Sequence, residues 1–283
     1  MLKTPRKTRA SIRRSAASRR PRESSRAAKL DAGFPGGSVP ELAPATAFFL
    51  DVDGTLVELA DRPHEVRIDD DLGRLLTELH GAAGGALALI SGRSVSDVDR
   101  LFASRRFCIA GQHGAERRDA AGMLHRHGLP LARLRTAGDT LRRFSAAHPA
   151  LVLEDKGMNL ALHYRLAPHL ASNVQGAVQD VVKDLGEEFE IQKGKMVFEI
   201  KPSGKDKGTA IAEFVKEKPF RDRVPVFVGD DNTDEYGFRI VNRLGGYSVK
   251  VGGGPTTARW RLADASAVRA WLWRFIERGR LDS

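Results

Sequence analysis

Two apolar runs that end abruptly in aspartates constrain this chain most. One is FFLDVDGTLVEL, Phe48 to Leu59; the other is VPVFVGDDNTDE, Val224 to Glu235. Each reads as a strand buried on both faces, as in a parallel sheet covered by helices. Buried carboxylates are costly unless a positive species meets them. In open α/β sheets ligands bind beyond the carboxyl ends of the strands. If both strands are central in one sheet, Asp51, Asp53, Asp230, Asp231 and Asp234 converge there.

The segments around these runs agree with such a sheet. TAFFLDV, GALALIS and RFCIA read as strands. Between them, DDDLGRLLTELH carries Leu72, Leu75, Leu76 and Leu79 at helical spacing, and SVSDVDRLF reads as a helix capped by Ser94. After Gln112 the pattern changes to a hairpin turning at Asp119–Gly122 and then helix–strand–strand, twice. That is an α+β arrangement with antiparallel hairpins. Alternation then resumes with KGTAIAEFV, VPVFVGDD, DEYGFRIV and GYSVKVG. In the final helix, Trp271, Trp273 and Phe275 are expected to pack on the sheet. The expected fold is α/β, a doubly wound, mostly parallel sheet interrupted by an inserted α+β cap. Its expected parts are a tail and linker at 1–44, a core at 45–111 and 198–283, and a cap at 112–197.

Charge separates the tail from the rest. The net charge is +10 from 46 Lys/Arg and 36 Asp/Glu. Residues 1–29 hold 11 of those cations and one acid, so the remainder is near neutral. Almost devoid of apolar residues, the tail cannot offset its own ordering entropy and is expected to be disordered. A transit peptide, a nucleic-acid tether or an idle solvated extension all fit it. Without an apolar run of about 20 residues, no membrane span is expected. The single cysteine, Cys108, lies in the apolar FCIA and reads as core; it excludes an intrachain disulfide and accords with a reducing compartment, the cytoplasm. Gly114 stands where a cysteine-dependent phosphatase places its Arg.

The acids point to phosphoryl transfer. Three or more carboxylates at one site need a cation, and an all-oxygen set suits Mg²⁺. One carboxylate can attack phosphorus and another can protonate the leaving oxygen. Ser91 at a strand end and Lys207 before a helix can hold phosphoryl oxygens. Other motifs are weaker: Arg126–Gly128 lacks the context of a histidine phosphatase, GKDKGT lacks P-loop spacing, His125 and His127 lack ligand partners for zinc, and Val251–Pro255 reads as a turn.

In this order, Asp51-Val-Asp53-Gly-Thr55, Ser91, Lys207 and Gly229-Asp230-Asp231-x-Thr233-Asp234-Glu235 resemble the four motifs of the haloacid dehalogenase superfamily. With SGR, GQHGAE, EDKGMNLALHYR and FEIKPSGKDKG, the chain from about Thr46 to Trp273 resembles the trehalose-6-phosphate phosphatases, a branch with an α/β cap. The resemblance implies Asp51 as nucleophile and metal ligand. It implies Asp53 as general acid/base, touching the metal through its carbonyl. Asp230 would be a second carboxylate ligand, Asp231 and Asp234 would support the metal's waters, and Ser91 and Lys207 would hold the phosphoryl group. Thr55, Gly92 and Arg93 from the motifs, with Gln112 and His113 near the hinge, would meet the substrate.

Strand alternation adds a second face. Asn159, His163 and Arg165 share one side of their strand, as do Glu154 with Lys156 and Glu199 with Lys201. A solvated face explains this as well; the resemblance implies a sugar-binding floor made of Glu154, Lys156, His163, Arg165, Glu199 and Lys201. The expected activity is Mg²⁺-dependent hydrolysis of trehalose 6-phosphate through an aspartyl-phosphate, by a monomer whose partner is its small sugar-phosphate substrate. Sucrose phosphate or mannosylglycerate phosphate is the alternative substrate, and a non-catalytic sugar-phosphate-binding regulator is the alternative role.

Overall fold

In a computed structural model, the strand β1 (Thr46–Leu50) lies at the centre of a sheet, paired in parallel with β10 (Val224–Gly229) on one side and β2 (Leu87–Ile90) on the other. The parallel set continues outward through β11 (Tyr247–Val251) to β12 (Trp260–Leu262), and through β2 to β3 (Cys108–Gly111). The structure describes Met1 and residues 39–59, 66–103, 107–194 and 196–281. The described residues from 39 onward form one compact unit. The basic tail expected over residues 1–29 lies outside the described residues beyond Met1, as does most of the linker up to residue 38.

Phe48, Phe49 and Leu50 are fully buried, as are Phe227 and Val228 of β10, because helices cover both faces. The helix α1 (Asp70–Ala82) presents Leu72, Leu75, Leu76 and Leu79 to the core, and Asp69 caps it by accepting from Leu72 N at 2.6 Å. Helix α2 (Val95–Leu101) starts at Ser94, whose hydroxyl accepts from Asp97 N. Trp271, on the last helix α7 (Ala265–Leu281), is buried. Trp273 and Phe275 are partly buried against the same core, with Phe275 edge-on to Phe48 at 4.9 Å. Cys108 is buried in β3.

The second sheet is four-stranded and antiparallel, in the order β6 (Val152–Asp155), β7 (Leu160–His163), β9 (Val197–Pro202), β8 (Phe189–Gly194). Helices α3 (Leu131–Ala146) and α4 (Ala171–Leu185) cover one face and share a core with Leu160, Leu162, Tyr164, Phe198 and Ile200. Met196, although apolar, is 39% exposed; it sits at φ 60° in the turn before β9.

The sheets divide elsewhere than at residues 112 and 197. The hairpin β4 (Glu116–Arg118) and β5 (Leu124–Arg126) extends the edge of the first sheet, antiparallel to β3, and all of β9 belongs to the second. A hairpin pairs with whichever strand edge is free, and its local pattern carries no record of which. β12, unread in the sequence, closes the opposite edge; at three residues it is too short to show alternation.

Candidate active site

Asp51 follows β1, Ser91 follows β2, Gln112 follows β3 and Asp230 follows β10, so all four stand at the same end of the parallel strands. Parallel pairing in register, Leu50 opposite Val228, makes the two acidic tips neighbours. The exit from β1 is tight. Gly54 takes φ +81°, and a Cβ there would lie 2.3 Å from the Asp230 carboxylate, so only glycine lets the two loops approach.

The helix α5 (Lys207–Phe214) brings in the ammonium. Asp206 and Thr209 form a reciprocal capping box that fixes the helix start at Lys207. Gly208 then allows α5 to lie against α6 (Asp234–Arg243): a Cβ would meet Tyr236 O at 2.5 Å. The result is that Lys207 Nζ lies 2.8 Å from Asp51 Oδ1 and 2.7 Å from Asp234 Oδ1, all three side chains being almost fully buried. Burial opposes the Lys207 charge, but Asp234 and Asp51 override it and raise its pKa above the ordinary value.

Asp51, Asp230 and Asp234 each offer one carboxylate oxygen, all within 4.8 Å of one another. Burial, reinforced by the neighbouring Asp230 and Asp231 charges and opposed by Lys207, pushes Asp51 up to about 7. Burial with Asp234 and Asp231 pushes Asp230 up to about 6. Clustered carboxylates that resist ionising are what a bound cation relieves, so the donor set suits a hard divalent ion. Asp231 lies outside that trio. Its Oδ1 accepts from Thr233 N, Thr233 Oγ1 and Asp234 N at 2.7, 2.6 and 3.2 Å. Its burial is outweighed by Lys207 and these bonds, which lower it to about 2. Asp234 Oδ2 in turn accepts from the backbone of Asp230 and Asp231, both at 2.9 Å, bracing the acidic loop.

Thr55 Oγ1 donates to Asp51 Oδ2 at 3.0 Å. Ser91 is fully buried, with its hydroxyl accepting from Arg93 N at 3.1 Å. Gly92 leaves room for the His113 ring, which a Cβ would meet at 2.9 Å. Asp53 is held by Arg93 through two bonds, Nε to Oδ2 at 2.7 Å and Nη2 to Oδ1 at 2.6 Å.

The charged face of the second sheet meets this mouth. Glu199 Oε1 accepts from Lys156 Nζ at 3.3 Å and Asn159 Nδ2 at 3.0 Å, and Oε2 lies 3.4 Å from His113 Nε2. Burial would raise Glu199, but His113 and Lys156 hold it well below the usual carboxylate range. Gln112 Oε1 accepts from Met158 N at 3.1 Å. His113 Nδ1 and Asn159 Oδ1 are buried with no hydrogen-bond partner among the described residues. Glu154 bonds His163 at 3.1 Å. With Arg165 these two line a cleft of about 870 Å³, whose core side is Arg93, Arg100 and Leu101. Lys201 stands apart from the cluster: its ammonium donates to Glu190 and to Lys205 O at the return to the first sheet.

Three residues that sequence reasoning left out of the site help shape it. Lys250, 5% exposed, donates to the carbonyl of Asp230. Its signal was a charge inside the buried strand YSVKV. Glu116 accepts from Val95 N at 2.7 Å and so anchors the loop that carries Ser91 and Arg93. Asn159, placed by alternation on the charged face but left out of the expected floor, donates to Glu199. Among the described residues, no helix is long and apolar enough to cross a membrane.

Residues 49–266 match the family model described as trehalose-phosphatase. The chain is 48% identical over 233 residues to the trehalose-6-phosphate phosphatase of Escherichia coli, covering 82% of this chain and 87% of that one. It is 42% identical over 206 residues to a probable trehalose-phosphate phosphatase of Sinorhizobium fredii, covering 73% and 77%. Among solved structures, a trehalose-6-phosphate phosphatase related protein superposes with a TM-score of 0.71 at 26% identity, over 84% of this chain and all of that one.

Proposed function

The chain belongs to the trehalose-phosphatase family, and on that premise we propose that it hydrolyses trehalose 6-phosphate to trehalose and inorganic phosphate through an aspartyl-phosphate on Asp51. The observation that carries the reading is the meeting of Asp51, Asp230 and Asp234 around Lys207, at the mouth faced by the charged sheet.

Asp51 and Asp230 would hold a Mg²⁺ ion directly, with the Asp53 carbonyl; Asp234 braces the loop and Asp231 its turn. Bound there, the ion supplies charge neutralisation for the phosphoryl oxygens and for the Asp51 carboxylate. The rest belongs to the chain's own side chains. An Asp51 oxygen attacks phosphorus as the bond from phosphorus to the sugar oxygen breaks, and the Asp53 proton passes to that oxygen. Water then attacks the phosphoryl group, gives its proton to Asp53, and releases phosphate and free Asp51. Lys207 stays protonated beside Asp51 and, with the Ser91 hydroxyl, holds phosphoryl oxygens as charge develops on them.

The sugar would lie in the cleft against Glu154, His163 and Arg165, with Lys156, Glu199, Gln112 and His113 deeper at the junction. Carboxylates accept from sugar hydroxyls, and the cations donate. The unpartnered Nδ1 of His113 and Oδ1 of Asn159 supply polar groups that a hydroxyl can satisfy. The buried, lone Cys108 accords with a reducing compartment such as the cytoplasm. Phosphate release from a panel of trehalose, sucrose, mannosylglycerate and glucose phosphates tests the assignment. Preference for trehalose 6-phosphate is expected; equal or greater turnover of another member overturns it.

A further inference from the structure

Asp53 cannot serve as acid or base while Arg93 grips it. Both of its oxygens accept from the guanidinium, at 2.7 and 2.6 Å, in the two-point geometry that binds a carboxylate most firmly. The backbone of Arg93 is pinned: its N–H donates to Ser91 Oγ and its carbonyl accepts from Gln112 N at 2.8 Å. Only the side chain is free to change partner. That side chain also forms part of the cleft wall, with Glu154 of the second sheet among the charges acting on it. One guanidinium therefore stands between the carboxylate that must work and the space where the sugar would lie.

We propose that Arg93 is a substrate-operated latch on Asp53: with the cleft empty it clamps the carboxylate, and sugar hydroxyls held against Glu154 draw it off, so that Asp53 takes a proton from solvent and can pass it to the leaving oxygen only when a sugar-bearing ester is in place. This rests on the sugar-phosphatase reading above. A ligand shifts such an equilibrium only through contacts it makes in one state and not the other; sugar oxygens between Arg93 and Glu154 are those contacts. A small ester that stops at the phosphoryl site leaves the latch closed. Arg93 is thus a positioning residue for Asp53 as well as a ligand for sugar.

The test compares trehalose 6-phosphate with p-nitrophenyl phosphate, whose hydrolysis still needs Asp53 to take a proton from water. In Arg93→Ala, kcat/KM for trehalose 6-phosphate should fall about tenfold or more, chiefly through KM, as expected for losing hydrogen bonds to a charged group. The kcat for p-nitrophenyl phosphate should rise. An unchanged or lower kcat on the small ester overturns the latch, because a merely structural Arg93 would depress both. Arg93→Lys carries the same comparison should the alanine variant fail to fold, since an ammonium cannot close the two-point grip. Wild-type turnover of trehalose 6-phosphate is measured first. Its absence would defeat the substrate assignment alone, and the latch would then be tested with whichever sugar phosphate is hydrolysed.

Discussion

The Lys207 ammonium lies 2.8 Å from Asp51 Oδ1, although 156 residues separate the two along the chain. The second sheet is strung between them in sequence, yet the pair is almost fully buried within the first. Replacing Lys207 by Met removes the ammonium that donates to both Asp51 and Asp234. Phosphate release should drop by roughly 10²-fold or more, the scale seen when a group stabilising transition-state charge is removed. A variant with near-normal kcat would take Lys207 out of the phosphoryl site.

Asp51→Asn keeps the shape of the side chain and its bond with Thr55 but removes the attacking carboxylate. The protein should fold, judged by circular dichroism, and lose turnover by about 10³-fold or more, as when a nucleophile is removed. Trapping a phosphorylated chain by acid quench should succeed with the wild type and fail with the variant.

Gly208→Ala should separate α5 from α6, because the new methyl meets the Tyr236 carbonyl at 2.5 Å. Overpacking of this kind costs about 1–3 kcal/mol, readable as a lowered urea midpoint. Activity should fall with it, since Lys207 rides on the displaced helix. Undiminished stability would mean that the helices have room not evident in their packing.

Chelation of divalent metal should stop phosphate release, and Mg²⁺ should restore it. Ion binding must displace protons from Asp51 and Asp230, which burial raises to about 7 and 6. Mg²⁺ affinity, measured calorimetrically, should therefore weaken steadily from pH 8 to pH 5.5. The linked stability has a definite sign. Both groups are raised above their ordinary 3.8, so what they contribute to the metal-free fold is fully present below about pH 4 and lost as pH rises through 6 to 7. The stabilisation by added Mg²⁺ should grow over that same interval. A pH-independent affinity would place the ion elsewhere.

Cys108 should stay silent. Burial pushes its thiol up to about 11, so at pH 8 almost no thiolate forms in the native protein. A thiol reagent should react at once in guanidinium and negligibly before it. Fast native labelling would show that β3 opens readily.

The sequence by itself determined the alternation of strands and helices, the helix starts at Asp69 and Ser94, and the gathering of Asp51, Ser91, Lys207 and Asp230 at strand and helix ends. These follow from periodicity and capping, which act within a few residues. Only the tertiary structure decided that the hairpin at Glu116–Arg126 joins the parallel sheet, that Lys201 turns to Glu190, that Asp231 serves its own turn, and that Arg93 closes on Asp53. The Arg93–Asp53 pair spans 40 residues and Lys201 reaches Glu190 across 11, whereas the hairpin pairs with the nearby β3 and Asp231 bonds within its own turn; each outcome depends on which of several partners the packing brings within reach. Local pattern limits what such a side chain can do; the packed neighbours select among the possibilities, because a buried charge must take the partner that the fold brings within reach.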